Sequence, residues 1–186
     1  MKYDINWLVK EYDDGQRRKY LFFWGHKPSA NGEITKSCLS QWYECEFVVD
    51  GVKYFTAEQY MMAQKAVLFG DKDTFSEIMA ASHPNQFKKL GRKITPFDND
   101  IWNAHKKEIV VCGNVAKFGQ NKALKDFLLG TSERIIVEAS PYDKIWGIGM
   151  SANKDNIEDP HTWNGENILG FALMEARDIL AEKADM

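Results

Sequence analysis

Cysteine is scarce in this chain. Cys38, Cys45 and Cys112 are odd in number and form no C-x-x-C pair, which argues against a disulfide framework or a zinc ribbon and suits a reducing compartment. The four histidines, His26, His83, His105 and His161, lack ligand spacing, so no protein-built metal site is expected. No apolar run approaches the roughly 20 residues of a membrane span, and the stretch from Met1 to Trp7 lacks the apolar centre of a signal peptide. Neither G-x-G-x-x-G nor G-x-x-x-x-G-K-[ST] occurs, which removes the common dinucleotide and P-loop fingerprints. An excess of positive charge is missing too: 24 basic against 27 acidic residues leave a net charge of −3. That balance excludes broad attachment to duplex DNA through its phosphates, while leaving room for a local cationic pocket. The expectation is a soluble, cytoplasmic protein without a cofactor.

Aromatic residues are abundant. Six Trp, seven Tyr and eleven Phe in 186 residues argue for a packed core or an aromatic-lined pocket. The length suits one domain over residues 1–186, with residues 1–20 as an N-terminal strand extension. Alternation of apolar and polar residues predicts strands over Tyr3 to Leu8 and Lys19 to Trp24, joined by a polar turn. The run from Gly25 to Ser40, broken by Pro28 and Gly32, reads as a loop long enough to cover a site. Asp50-Gly51 between β-branched and aromatic residues is a hairpin signal. Helices follow: one from Thr56, short ones over Thr74 to Ala81 and Asn85 to Leu90 with Gly91 as a left-handed stop, and a long one over Asp100 to Phe118. The long helix should bury a stripe of Trp102, His105, Ile109, Cys112 and Ala116. Asn121 caps the next helix, Arg134 to Ala139 reads as a buried strand, and Asn167 to Ala184 as a final helix. Strands, then many helices, then one strand give an α+β class, mostly helical, with a small antiparallel sheet or hairpins.

Thr56 to Lys65 is the most informative stretch. Thr56 followed three residues later by Gln59 reads as a capping box. From that start Glu58 and Lys65 share one helix face, roughly 10 Å apart along the axis. A ligand lying over Met61 and Met62 could touch both groups, though an amphipathic helix with solvated ends carries the same pattern. A second run, Val137 to Gly149, delivers a buried strand into a Pro-containing turn with Asp143, Trp146, Gly147 and Gly149. Asp143 could act as an acid or base or bond ribose hydroxyls, and the indole offers a stacking face beside glycines that permit close approach. A tight turn with a packed Trp explains it equally. Arg92, just past a helix end, could grip phosphate, or simply be a solvated cation at a helix C-terminus. Trp24, Trp42 and Tyr43 frame the long loop.

Taken in order, Phe23-Trp24-Gly25, Leu39-Ser40-Gln41-Trp42-Tyr43, Thr56-Ala57-Glu58, Gln64-Lys65, Leu90-Gly91-Arg92, Lys117-Phe118, Val137-Glu138-Ala139-Ser140, Asp143, Trp146-Gly147-Ile148-Gly149, Asn167-Ile168-Leu169-Gly170 and Leu173 to Arg177 resemble the NADAR superfamily, which includes the YbiA-like N-glycosidases. The resemblance runs from about Phe22 to the C-terminus. It implies a YbiA-like single domain that hydrolyses the N-glycosidic bond between ribose and an exocyclic amine. The substrate would be a phosphoribosylamino-pyrimidine of riboflavin synthesis or ADP-ribosylated guanine, free or in nucleic acid. It further implies Lys65 as a covalent Schiff-base catalyst, with Glu58 or Asp143 as proton donor. Arg92 is implied as a phosphate ligand, and Trp24, Gly25, Trp42, Tyr43, Glu138, Ser140, Trp146, Gly147 and Gly149 as substrate-binding residues. No metal, membrane or obligate protein partner is implied. Gln41-Trp42 stands where Asn-Phe is common, and Gln59 where His is common. The rival expectation is a non-catalytic ADP-ribose or nucleotide sensor.

Overall fold

The computed structural model describes residues 2–183. In chain order its elements are α1 (Ile5–Asp13), β1 (Tyr20–Phe23), a 3-10 turn (Lys36–Leu39), β2 (Phe47–Val49), β3 (Val52–Tyr54), α2 (Ala57–Leu68), α3 (Lys72–Ala80), α4 (Pro84–Gly91), α5 (Asn99–Gln120), α6 (Lys122–Leu129), β4 (Ile135–Glu138), a second 3-10 turn (Pro160–Thr162) and α7 (Ile168–Glu182). The class is α+β and mostly helical, as the element order predicts.

The strands are not all antiparallel. β2 and β3 form the expected hairpin, with Asp50 and Gly51 at φ 50° and 77°, the positive values a two-residue turn needs. β1 instead pairs in parallel with β4, each residue with the one 115 positions later, so that Tyr20 lies opposite Ile135 and Phe23 opposite Glu138. Its expected partner over Tyr3 to Leu8 is part of a helix. Asp4 caps α1 by accepting the Trp7 N–H at 2.7 Å, and Ile5, Leu8, Val9 and Tyr12 supply a helical period that overrides the alternation of Tyr3, Ile5 and Trp7.

Central packing is set by β4 and α7. Ile135, Ile136 and Val137 are buried, and Gly170 brings the α7 backbone so close that a Cβ there would lie 2.1 Å from the Ile136 carbonyl oxygen. Just before α7, Asn167 takes a left-handed φ of 52° and clamps the strand: its Oδ1 accepts the Glu138 N–H and its Nδ2 donates to Ile136 O, both at 2.9 Å. That clamp fixes where β4 ends.

Three helix details depart from expectation. The buried stripe of α5 is Lys106, Val110, Gly113, Asn114 and Lys117, whereas His105 and Cys112 are exposed, so the true face is rotated by about one residue. Gly91 is the last residue of α4 and has no left-handed φ; it is small because a Cβ would sit 2.0 Å from Met62 Sδ. Asn121 precedes α6 without capping it, since its Nδ2 donates to Glu46 O and Lys117 O.

Candidate active site

In a parallel strand pair both C-terminal ends lie at one edge, and open parallel sheets bind ligands there. Here that edge carries Trp24-Gly25 after β1 and Glu138-Ala139-Ser140 at the end of β4, joined by a 2.8 Å bond from the Ala139 N–H to Phe23 O. Beyond it the chain turns back tightly. Ser140 Oγ accepts the N–H groups of Tyr142 and Asp143 at 3.3 and 3.2 Å, and Asp143 Oδ1 accepts those of Ile145 and Trp146 at 2.9 and 2.8 Å. Gly147 closes the turn against β4, because a Cβ there would stand 2.7 Å from Glu138 O. Gly149 has a positive φ of 63° and packs on Lys144 and Asn164. The glycines therefore admit the protein's own backbone. Trp146 is half-buried against the core, and Gly25 is in open space at φ 88°.

Glu58 enters this edge from α2. Thr56 caps the helix through a 3.0 Å bond from the Gln59 N–H, but the reciprocal half of the box is absent: Gln59 Oε1 accepts the Phe55 N–H instead, and its Nε2 donates to Ile78 O. The Glu58 N–H donates to Gln41 O at 2.9 Å. Burial pushes the Glu58 carboxyl up to about 7; Lys88 opposes that shift, the Asp143 charge adds to it, and the polar edge of the Trp42 side chain acts the other way. Glu138 is pushed up to about 8 by burial, with Asp143 and Glu58 adding to the rise and Lys88 opposing it. Its Oε2 is buried and accepts no hydrogen bond among the described residues. Three carboxyl groups thus converge, two of them able to hold a proton near neutral pH.

Lys65 occupies different surroundings. Its Nζ donates to Gly91 O at 2.8 Å and lies 4.3 Å from the Phe97 ring centroid and 5.4 Å from that of Trp102. Half-burial disfavours its charged form and lowers its pKa. The cation that influences the carboxyl groups is Lys88 of α4, not Lys65. Arg92 follows Gly91 and is exposed.

The remaining expected residues divide. Trp24, 59 % exposed, stands 6.1 Å from Tyr142, 85 % exposed, and the two rings present open faces at the strand edge. Trp42 is half-buried, 5.5 Å from the His26 ring. Tyr43 is buried, its ring 5.7 Å from the Lys117 ammonium, and so belongs to the core side of the loop. Sequence reasoning missed Lys88 and Tyr142. Lys88 is one of three cations in Lys88-Lys89-Leu90-Gly91-Arg92, a pattern that suits any solvated helix end, and the packing of α4 on α2 brings its charge to bear on the acids. Tyr142 had one available signal, its place between Ser140 and Asp143. Two surface cavities, of about 460 and about 630 Å³, lie elsewhere, beside Phe55 and Phe87 and beside Arg18 and Arg134.

The family model of the NADAR domain matches residues 22–181. The chain is 45% identical over 166 residues to N-glycosidase R617 of Acanthamoeba polyphaga mimivirus, covering 86% of this chain and 95% of the relative. It is 32% identical over 133 residues to N-glycosidase YbiA of Escherichia coli K12, covering 72% and 74%. An NMR structure of E. coli YbiA superposes with a TM-score of 0.69 at 27% identity, covering 90% of this chain and 88% of that one.

Proposed function

Since the chain belongs to the NADAR family, we propose that it is an N-glycosidase, a hydrolase that cleaves the bond between a (phospho)ribose or ADP-ribose and an exocyclic amine. The observation that carries this reading is the buried, unpartnered Glu138 Oε2 beside Glu58 and Asp143, at the edge where β1 and β4 end. An acid that remains protonated near neutrality, and an amine whose burial favours its neutral form, are the two groups such a cleavage needs.

In the proposed reaction the Glu58 carboxyl protonates the ribose ring oxygen. The C1–O bond breaks as the lone pair of the exocyclic nitrogen forms an iminium at C1. Neutral Lys65 attacks C1, a proton passes from its nitrogen to the exocyclic nitrogen, and the base's amine departs, leaving the sugar as a protonated Schiff base on Lys65. Water adds to C1, one of its protons passes to the Lys65 nitrogen, the neutral amine is expelled as the C1 carbonyl forms, the second proton returns to the Glu58 carboxylate, and the free aldehyde sugar recloses. Acid and amine act on different sugar atoms in different steps, so they need not touch. The Gly91 carbonyl suits a neutral amine: one N–H donates to it while the lone pair remains free.

Glu138 is assigned to the sugar hydroxyls. Asp143, whose Oδ1 already serves two backbone N–H groups, acts through its charge on the other carboxyl groups. The open faces of Trp24 and Tyr142 are assigned to the leaving base, and Arg92 to phosphate. Among the described residues no helix is long and apolar enough to cross a membrane. A cytoplasmic enzyme acting on a small molecule, or on a modified guanine in nucleic acid, fits that surface.

The alternative, a non-catalytic sensor of ADP-ribose or a nucleotide, needs no group poised to exchange a proton near neutrality, so the raised carboxyl groups favour hydrolysis. Incubation with ADP-ribosylated guanosine and with a phosphoribosylamino-pyrimidine, followed by product analysis, tests the reading. Release of free base or of free sugar phosphate supports it; tight binding of either compound without cleavage supports the sensor.

A further inference from the structure

Lys106 is 8% exposed and plays no part in the chemistry above. An ammonium carries three N–H donors, yet Lys106 Nζ makes one hydrogen bond among the described residues, to Asn103 Oδ1 at 2.8 Å, and no carboxylate there lies within ion-pair distance of it. Lys117, on the same buried stripe of α5, differs: its Nζ gives two donors to the Cys38 and Ser40 carbonyls at 2.7 and 2.8 Å. A cation taken out of water needs such acceptors or an anion. Lys106 has a single neutral acceptor, so its surroundings are incomplete. Burial accordingly disfavours its charged form and lowers its pKa, with the Glu166 charge acting the other way.

The fold says where the missing anion stands. Trp102 is one turn before Lys106 on α5, hence on the same side of the helix, and its ring centroid is 5.4 Å from Lys65 Nζ. Further along that side, Gly113 meets α2 so closely that a Cβ would lie 2.5 Å from the Tyr60 ring. Next to it Asn114 Nδ2 donates to Gln41 Oε1 at 3.1 Å, and Gln41 O accepts the Glu58 N–H. From Trp102 to Asn114, α5 therefore runs along α2 from the amine back towards the acid. Lys106 lies on that stretch, about 6 Å along the axis from Trp102 and about 12 Å from Asn114.

Resting on the N-glycosidase reading for the reaction it serves, we propose that Lys106 is a substrate-binding residue that holds a phosphate group of the sugar between the Lys65 amine and the Glu58 carboxyl. Phosphate oxygens accept the two N–H donors that Asn103 leaves over, and their charge supplies the counter-ion that the protein withholds. Arg92 is exposed and stays hydrated, so discrimination between a phosphorylated and a plain ribose falls to Lys106.

Ribose 5-phosphate, ADP-ribose and plain ribose, titrated into the full chain by calorimetry and in thermal melts, test this without turnover. Ribose 5-phosphate offers a terminal phosphate and ADP-ribose a diphosphate, and the tighter binder identifies which of the two the site takes. At least one of them should bind and raise the melting temperature more than plain ribose does. Lys106→Met, freed of an unpaired buried charge, should melt above the wild type without ligand and bind the phosphorylated probe at least tenfold more weakly. In kinetics its loss of kcat/KM should be at least tenfold greater for a phosphoribosylamino-pyrimidine than for the dephosphorylated counterpart. A lysine with a merely structural role would instead lower the melting temperature and cost both substrates equally, and that result overturns the proposal. So does a wild type that binds neither phosphorylated probe, or native affinity in folded Lys106→Met. Where Lys106→Met does not fold, Lys106→Gln keeps an N–H donor for Asn103 Oδ1 without the charge; the same tenfold loss is expected, and native affinity overturns the proposal. If Lys106 is needed for the phosphorylated probe while the wild type cleaves neither substrate, the N-glycosidase reading fails and the binding inference stands.

Discussion

Lys65 Nζ reaches the Gly91 carbonyl oxygen at 2.8 Å because Gly91 lacks a side chain: any Cβ there would meet Met62 Sδ at 2.0 Å and Met62 Cγ at 3.0 Å. Met62 and Lys65 are one helical turn apart on α2, so the end of α4 lies across the turn that carries the amine. Gly91→Ala should push α4 outward, lower stability by about 1–3 kcal/mol through overpacking, and reduce turnover further by releasing Lys65. Met62→Ala in the same chain makes room for the new methyl and should recover part of the turnover. Denaturant melts and kcat of the single and double variants check both effects.

Glu58 and Glu138 give stability an unusual dependence on pH. Their folded values, about 7 and about 8, lie above the ordinary 4.5, so between those limits the folded chain binds more protons than the unfolded one. Stability should therefore fall as pH rises from about 4.5 to about 8, by about 3 kcal/mol for Glu58, and remain low above that window. Glu58→Gln and Glu138→Gln should each flatten the fall and melt above the wild type at alkaline pH. Melting curves across pH measure this directly.

Asp143 and Lys88 act on those two carboxyl groups with opposite sign. Because the proposed acid must be protonated, activity is lost as pH rises through its pKa. Asp143→Asn keeps an Oδ1 acceptor for Ile145 and Trp146 but removes the negative charge, so the alkaline limb of kcat/KM should move to lower pH. Lys88→Met should move it to higher pH. Shifts in the same direction would contradict the assignment of the limb to Glu58.

Trp24 and Tyr142 face solvent with no other ring against them. Stacking a base on an aromatic ring is worth about 1–3 kcal/mol. Tyr142→Ala and Trp24→Ala should accordingly raise KM about fivefold or more for a substrate bearing a purine or pyrimidine, with kcat little changed. Steady-state kinetics of the two variants decide this.

Much of the helical layout is legible in the residues, because caps and turns act locally: Thr56 starts α2, and Asp50-Gly51 turns the hairpin, where their chemistry places them. Long-range pairing is not local. Nothing near Tyr20 indicates that its partner is Ile135, and the Tyr3 to Leu8 alternation offers a nearer false one. On α5 the buried Lys106 and Lys117 fall on the apolar face, so a stripe sought among apolar residues alone lands one position away. The site follows the same division. Glu58, Glu138 and Asp143 are visible as residues, but their convergence depends on β1 lying parallel to β4 and on α2 docking beside them. The separation of Lys65 from Glu58 is set by the seven-residue step between them on α2 and is legible in the sequence, whereas the approach of Lys88 follows from the packing of α4 on α2.

Borohydride added during turnover, followed by mass spectrometry of the digested chain, tests the central claim that the amine of Lys65 holds the sugar. A reduced ribose adduct on the peptide carrying Lys65, absent in Lys65→Ala and Lys65→Arg along with turnover, is the predicted result. Turnover without any trapped adduct, or full activity in Lys65→Ala, would contradict it.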